Sequence, residues 1–143
     1  MAGYRLLADE HGKTHVEPWD LFAWPFENGP GDFKGVGGAV VGDARRVMLM
    51  RFESGSRPGF HRAVPSFAVL LAGELVVNDS SGGEAVLRPG DAIRVETTGR
   101  GGWRLGNRQQ EYALLALVQM PVSEESPAYD GTAEGEGAGD DAG

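Results

Sequence analysis

Cysteine is absent from this sequence, which excludes disulfides, thiol nucleophiles and thiolate metal sites and suits a reducing compartment. Long apolar runs are also missing: none approaches the roughly 18 residues of a membrane span. The opening MAGYRLLADEHGK turns charged early and has no apolar signal core, so a cytoplasmic protein with no membrane partner is expected. No basic cluster or patterned set of stacking aromatics is present, and nucleic acid is therefore not expected as a partner. Histidine is scarce, with three in 143 residues, which limits any imidazole-based site from the outset.

The formal net charge of −8 is carried by one end of the chain. Residues 121 to 143 hold seven acids (Glu124, Glu125, Asp130, Glu134, Glu136, Asp140 and Asp141) and no base, leaving 14 acids against 13 bases in the rest. A segment of Glu, Asp, Gly and Ala with scarcely an apolar side chain cannot offset its ordering entropy by burial, so residues 122–143 are expected to be a disordered acidic tail.

What remains has room for one domain and one core. The full sequence's 23 glycines and eight prolines divide the apolar stretches into short pieces, which favours strands joined by tight turns. Residues 3 to 8 read as a strand, 9 to 13 as a turn and 14 to 17 as the return strand. Residues 18 to 33 interleave Pro18, Pro25 and Pro30 with Trp19, Phe22, Trp24, Phe26 and Phe33, an irregular arm whose rings need cover from a barrel opening or another subunit. GGAVVGDARRVMLMRF reads as a hairpin turning at 42 to 44, and SFAVLLAGELVV (66 to 77) as one strand apolar on both faces in its first half. Residues 84 to 87, 92 to 96 and 111 to 120 complete the strands. The division is then 1–34 hairpin and arm, 35–121 barrel, 122–143 tail.

Two glycine-anchored stretches carry a resemblance. PGFHRAVPSFAVLLAGELVV ends its pattern on Gly73, and Gly83, Pro89 and Gly90 lie in frame in a second stretch. These resemble the paired motifs of cupins, G-x5-H-x-H-x(3,4)-E-x6-G and G-x5-P-x-G-x2-H-x3-N. YRLLADEHGKTHVE and VETTGRGGW are also similar to a group of small single-domain bacterial cupins. The resemblance covers roughly residues 3 to 120 and implies an all-β, single-domain jelly-roll barrel. The family holds a metal at the histidines and glutamate of these motifs. Here Gly59 stands at the first histidine, His61 at the second, Ser66 at the glutamate, and Gly101 or Gly102 at the third histidine. A catalytic metal needs about three converging ligands. Glu53, Glu74 and Glu96 are the only conceivable substitutes, so no metal and no cofactor are expected.

Cupin topology implies that His61 points inward, near Ser66 and the segment around Trp103. Imidazole as a class titrates near neutrality and can move a proton or orient a carbonyl, phenol or enol. Against that stands a histidine merely hydrogen-bonded in place. Arg51 and Glu53 share one strand face, as do Arg94 and Glu96; inward they would grip an acidic group, outward they are solvated pairs. Tyr112 is a candidate acid or a core residue, and Trp103, Trp24 or Phe26 a flat wall or simple packing. GRGG at 99 to 102 lacks a phosphate-loop lysine and reads as a turn; Ser54, Ser56 and Ser66 lack the acid and base of a hydrolase triad.

The expectation is a metal-independent enzyme on a mainly apolar small metabolite, a cyclase or isomerase of natural-product biosynthesis. Its catalytic candidates are His61, Glu96 and Tyr112, and its substrate-binding candidates Arg51, Glu53, Ser66, Arg94 and Trp103. The alternatives are a non-catalytic binding cupin and a metal-dependent dioxygenase with an irregular site. A homodimer is expected, since many cupins pair through an outer sheet.

Overall fold

The computed structural model describes residues 1–23, 26–28, 35, 37–97 and 101–121. Its strands, in chain order, are β1 (Gly3–Ala8), β2 (Thr14–Pro18), β3 (Glu27–Asn28), β4 (Gly37–Gly38), β5 (Arg46–Phe52), β6 (His61–Arg62), β7 (Ser66–Ala72), β8 (Leu75–Asp79), β9 (Glu84–Leu87), β10 (Ala92–Val95), β11 (Gly102–Gly106) and β12 (Ala113–Gln119). A 3-10 turn at Leu21–Ala23 is the only helical element among the described residues.

Two sheets face each other. The larger has the order β2-β1-β10-β7-β12-β5 and the smaller β6-β11-β8-β9, with β3 and β4 forming a separate two-residue ladder. Among the described residues only the β1–β10 pairing is parallel. This is a double-sheet jelly roll, and the expected all-β architecture is what the described residues build. The acidic tail lies outside the described residues.

Strand alternation makes the core. Ser66, Ala68 and Leu70 of β7 turn inward, with Leu115 and Leu117 of β12, Ile93 and Val95 of β10 and Leu6 of β1 beside them. The smaller sheet answers with Leu75, Val77, Leu87, Trp103 and Leu105. Each fully buried Leu or Ile contributes about 1.5–3 kcal/mol relative to exposure, so this interlayer is the main stabilising element.

The hairpin of β1 and β2 is built into the larger sheet. Asp79, on β8, fixes it from the opposite sheet: its carboxylate accepts hydrogen bonds from the Val16 amide at 2.8 Å, from Ser81 N–H and from Gly83 N–H. Thr14 adds a second tie, donating to the Gly102 carbonyl at 2.6 Å. Asp91 accepts from the amides of Ala2 and Arg88 and holds the N-terminus against the Pro89-Gly90 turn.

Two readings from sequence are corrected. The stretch 66 to 77 is two strands in different sheets, broken at Gly73, whose φ is +82°. A Cβ there would lie 2.6 Å from the Tyr112 carbonyl, so only glycine lets the chain turn from one layer to the other. The hairpin with a turn at 42 to 44 does not form: β4 pairs with β3, while β5 pairs along its whole length with β12. That ladder pairs one edge of β5 along its length and sends Met48, Met50 and Phe52 towards the interior. The strands β6 and β11 carry no strand signal in the sequence.

Of the arm, Phe22 and Phe26 gather with Met1, Leu21, Val41 and Phe67 on the outer face of the larger sheet, away from the barrel opening. Trp24 and Phe33 lie outside the described residues.

Candidate functional site

A cavity of about 220 Å³ lies between the sheets at one end of the barrel. From the larger sheet it is lined by Met48, Met50 and Phe52 of β5, Ser66 of β7, and Leu117 and Gln119 of β12. From the smaller sheet come His61 of β6 and Trp103 and Leu105 of β11, with Pro58 and Val64 at the rim.

His61 and Trp103 are direct partners in the β6–β11 ladder, so their side chains project from the same face. Trp103 is buried, whereas His61 is exposed at the mouth. Ser66 sits opposite Gln119 across the β7–β12 ladder, which sets two polar side chains at one end of an otherwise apolar chamber. The Ser66 hydroxyl donates to the Val64 carbonyl at 2.8 Å and keeps acceptor capacity on its oxygen.

The corner that carries His61 and Ser66 is pinned from behind. Thr97 donates its hydroxyl to the Ala63 carbonyl at 2.7 Å, and the Ala63 amide donates to the Gly101 carbonyl. Thr97 is buried and fixes the turn between β6 and β7; no sequence signal marked it.

Three of the eight sequence-derived candidates, His61, Ser66 and Trp103, meet in this cavity. The other five do not reach it. Arg51 and Glu53 form a 3.5 Å ion pair on the outer face of β5, both more than half exposed, and the Arg51 guanidinium lies 4.9 Å over the Tyr112 ring, itself 55% exposed. Arg94 and Glu96 pair at 3.4 Å on the outer face of β10, where Arg94 also lies over Trp19. Their phase is the outward one because Ile93 and Val95, between them, fill the core. Phe26 lies on the other side of the larger sheet and Trp24 is outside the described residues. Sequence reasoning missed Met48, Met50, Phe52, Leu105, Leu117 and Gln119. The signal was available in VMLMRF, where the apolar phase excludes Arg51 from the inward face.

The metal that the cupin resemblance implies can be tested against this wall. His61 is the only His, Asp or Glu lining the cavity among the described residues. Gly101 has a φ of +79°, and a Cβ there would lie 2.7 Å from the Gly12 carbonyl, so that position has no room for a ligand side chain. Glu53, Glu74 and Glu96 are engaged elsewhere by Arg51, Arg88 and Arg94. No group of three or more His, Asp or Glu side chains converges anywhere among the described residues. The residues present do not fit a cupin metal centre.

Two titratable groups have clearly displaced pKa values, and both are on the surface. Asp9 is lowered to about 2 by its hydrogen bond with His15 and then by the Lys13 amide. Glu84 is lowered first by its hydrogen bonds from Arg108, then by Asn78. Neither lines the cavity.

No protein-family model matches the chain, and no curated protein matches it. Among solved structures it is similar to a sugar phosphate isomerase of the cupin superfamily from Silicibacter pomeroyi, at 26% identity over 52% of this chain and 49% of that one, with a TM-score of 0.46. It is similar to the cupin domain of Drosophila melanogaster CENP-C at 21% identity, covering 54% and 62% of the two chains, with a TM-score of 0.46. A cupin domain from Bordetella pertussis matches at 19% identity over 52% and 79%, with a TM-score of 0.43. The match spans about half the length of the isomerase chain. No helix among the described residues is long and apolar enough to cross a membrane.

Proposed function

We propose that this cupin-type barrel is a metal-independent enzyme acting on a mainly apolar small metabolite, as a cyclase or isomerase of natural-product biosynthesis. The observation that supports it is the cavity, in which Ser66 stands at the family's glutamate position and one imidazole, His61, lies beside an indole wall. The apolar walls hold a reactive conformer, which converts binding into orientation. His61 gives or takes a proton at a carbonyl, phenol or enol at the mouth, and Trp103 supplies the face on which the ring lies. Arg51, Glu53, Arg94, Glu96 and Tyr112 have no part in this step, since none lines the cavity.

The test is conversion of the intermediates of neighbouring biosynthetic genes by wild type and His61→Ala, with metal analysis of the purified protein. Turnover lost on His61→Ala in metal-poor protein supports the proposal. Tight binding of an intermediate with no conversion of any sinks it in favour of the second reading, a non-catalytic binding cupin. One observation favours that second reading: no carboxylate lines the cavity among the described residues to orient His61. Near-stoichiometric metal that disappears with His61→Ala would favour a dioxygenase instead.

We also propose a cytoplasmic homodimer. Val47 and Leu49 on the edge strand β5 are each 69% exposed and Leu71 of β7 is 49% exposed, an apolar outer face suited to a second copy.

A further inference from the structure

The wall chemistry of the cavity narrows what enters it, on the premise above that this cavity is the functional site. Volume sets the first limit. A dry apolar cavity of about 150 Å³ holds a benzene ring, so about 220 Å³ holds a substituted single ring or two fused rings, and nothing as long as an extended chain. Pockets for larger ligands begin near 300 Å³.

Shape and polarisability set the second. Met48 and Met50, two positions apart on β5, present thioethers from one sheet, and Trp103 presents its indole from the other. Thioethers and indole favour a flat π system over a saturated one, since sulfur packs at ring edges and rings stack offset.

Charge sets the third. The polar residues lining the cavity are His61, Arg62, Ser66 and Gln119, and of these only Arg62 carries a permanent charge. Arg62 borders the cavity, but it follows His61 on β6 and stands opposite Gly102, so strand alternation directs its side chain to the other face. An anionic phosphate placed inside would be desolvated without a cation to pair with.

We infer that the cavity takes a neutral, planar molecule of one or two rings bearing a single hydroxyl or carbonyl oxygen that reaches His61, and that it rejects phosphorylated sugars. The probe is 2-naphthol, compared with 2-naphthyl phosphate and glucose 6-phosphate, with methionine methyl resonances followed by NMR. The four methionines report separately: Met48 and Met50 line the cavity, whereas Met1 and Met120 do not. 2-Naphthol shifts Met48 and Met50 and leaves Met1 and Met120 in place. Its phosphate ester binds at least about tenfold more weakly, and His61→Ala weakens 2-naphthol by about five- to tenfold, the loss of one hydrogen bond. Unmoved Met48 and Met50 resonances with 2-naphthol, or shifts produced at lower concentration by glucose 6-phosphate, overturn the inference. Turnover does not enter this readout. Binding of this kind without conversion of any substrate removes only the enzyme proposal; His61-dependent turnover with no 2-naphthol response removes only this one.

Discussion

His61 stands directly across the β6–β11 ladder from Trp103, so the one imidazole of the cavity and its largest aromatic wall are fixed relative to each other by backbone hydrogen bonds. A ligand lying on the indole meets the imidazole at the mouth.

The first prediction follows from that pairing. Under the proposed function, His61→Gln keeps a hydrogen-bonding group and removes the proposed proton shuttle, so turnover falls by about 10²–10⁴-fold. Because His61 is exposed, the unfolding free energy changes by no more than about 0.5 kcal/mol, as urea titration will show. Equal activity in the variant would assign His61 a binding role only.

Gly73→Ala tests the layer-crossing turn. The positive φ and the close Tyr112 carbonyl both oppose a methyl group, and the variant is destabilised by more than about 1 kcal/mol in denaturant titration. An unchanged midpoint would mean that the turn relaxes at no cost.

Leu49→Glu separates the assembly from the fold. Leu49 is 69% exposed on the outer face, so the variant stays folded and sediments as a monomer while wild type sediments as a dimer. Leu115→Ala, on the inner face and fully buried, instead costs about 2–5 kcal/mol. Monomeric wild type would dismiss the dimer.

The β1–β2 turn has its own acid dependence. Asp9 hydrogen-bonds His15 through one oxygen and accepts the amides of His11 and Lys13 through the other, which lowers its pKa from 3.8 to about 2. Below an ordinary carboxylate value the unfolded chain binds this proton before the folded one. The contribution is therefore complete above about pH 4 and is lost as pH falls towards 2. Carboxyl carbon NMR of Asp9 should give a midpoint near 2, and a midpoint near 3.8 would show that the hydrogen bonds do not persist in solution.

Much of the barrel is legible in the sequence because alternation and turn residues act locally: β1, the Asp9 turn, β2, β9 and the Pro89-Gly90 turn are all local signals. Pairing is not local. Nothing in VMLMRF names ALLALVQ as its partner, and a two-residue strand such as β6 has no periodicity to read. The motif spacing located His61 and Ser66 at the cavity, and Trp103 followed from cupin topology. The charged candidates failed for one reason: a charged residue marks the solvent face of its strand unless a partner waits inside, and Arg51 and Arg94 find their partners outside.

The parallel pairing of β1 with β10 imposes an order on assembly. Ala2 meets Asp91 across 89 positions, so β1, made well before its partner, is among the last strands to find its place. Until then the β1–β2 hairpin exists on its own, and the edge of β10 and the Asp79 carboxylate wait for it. We predict that amides of β1 and β2 gain exchange protection after those of β7 and β12 during refolding; simultaneous protection would indicate a single concerted closure. Completion of this barrel thus waits on a strand made long before the edge that receives it.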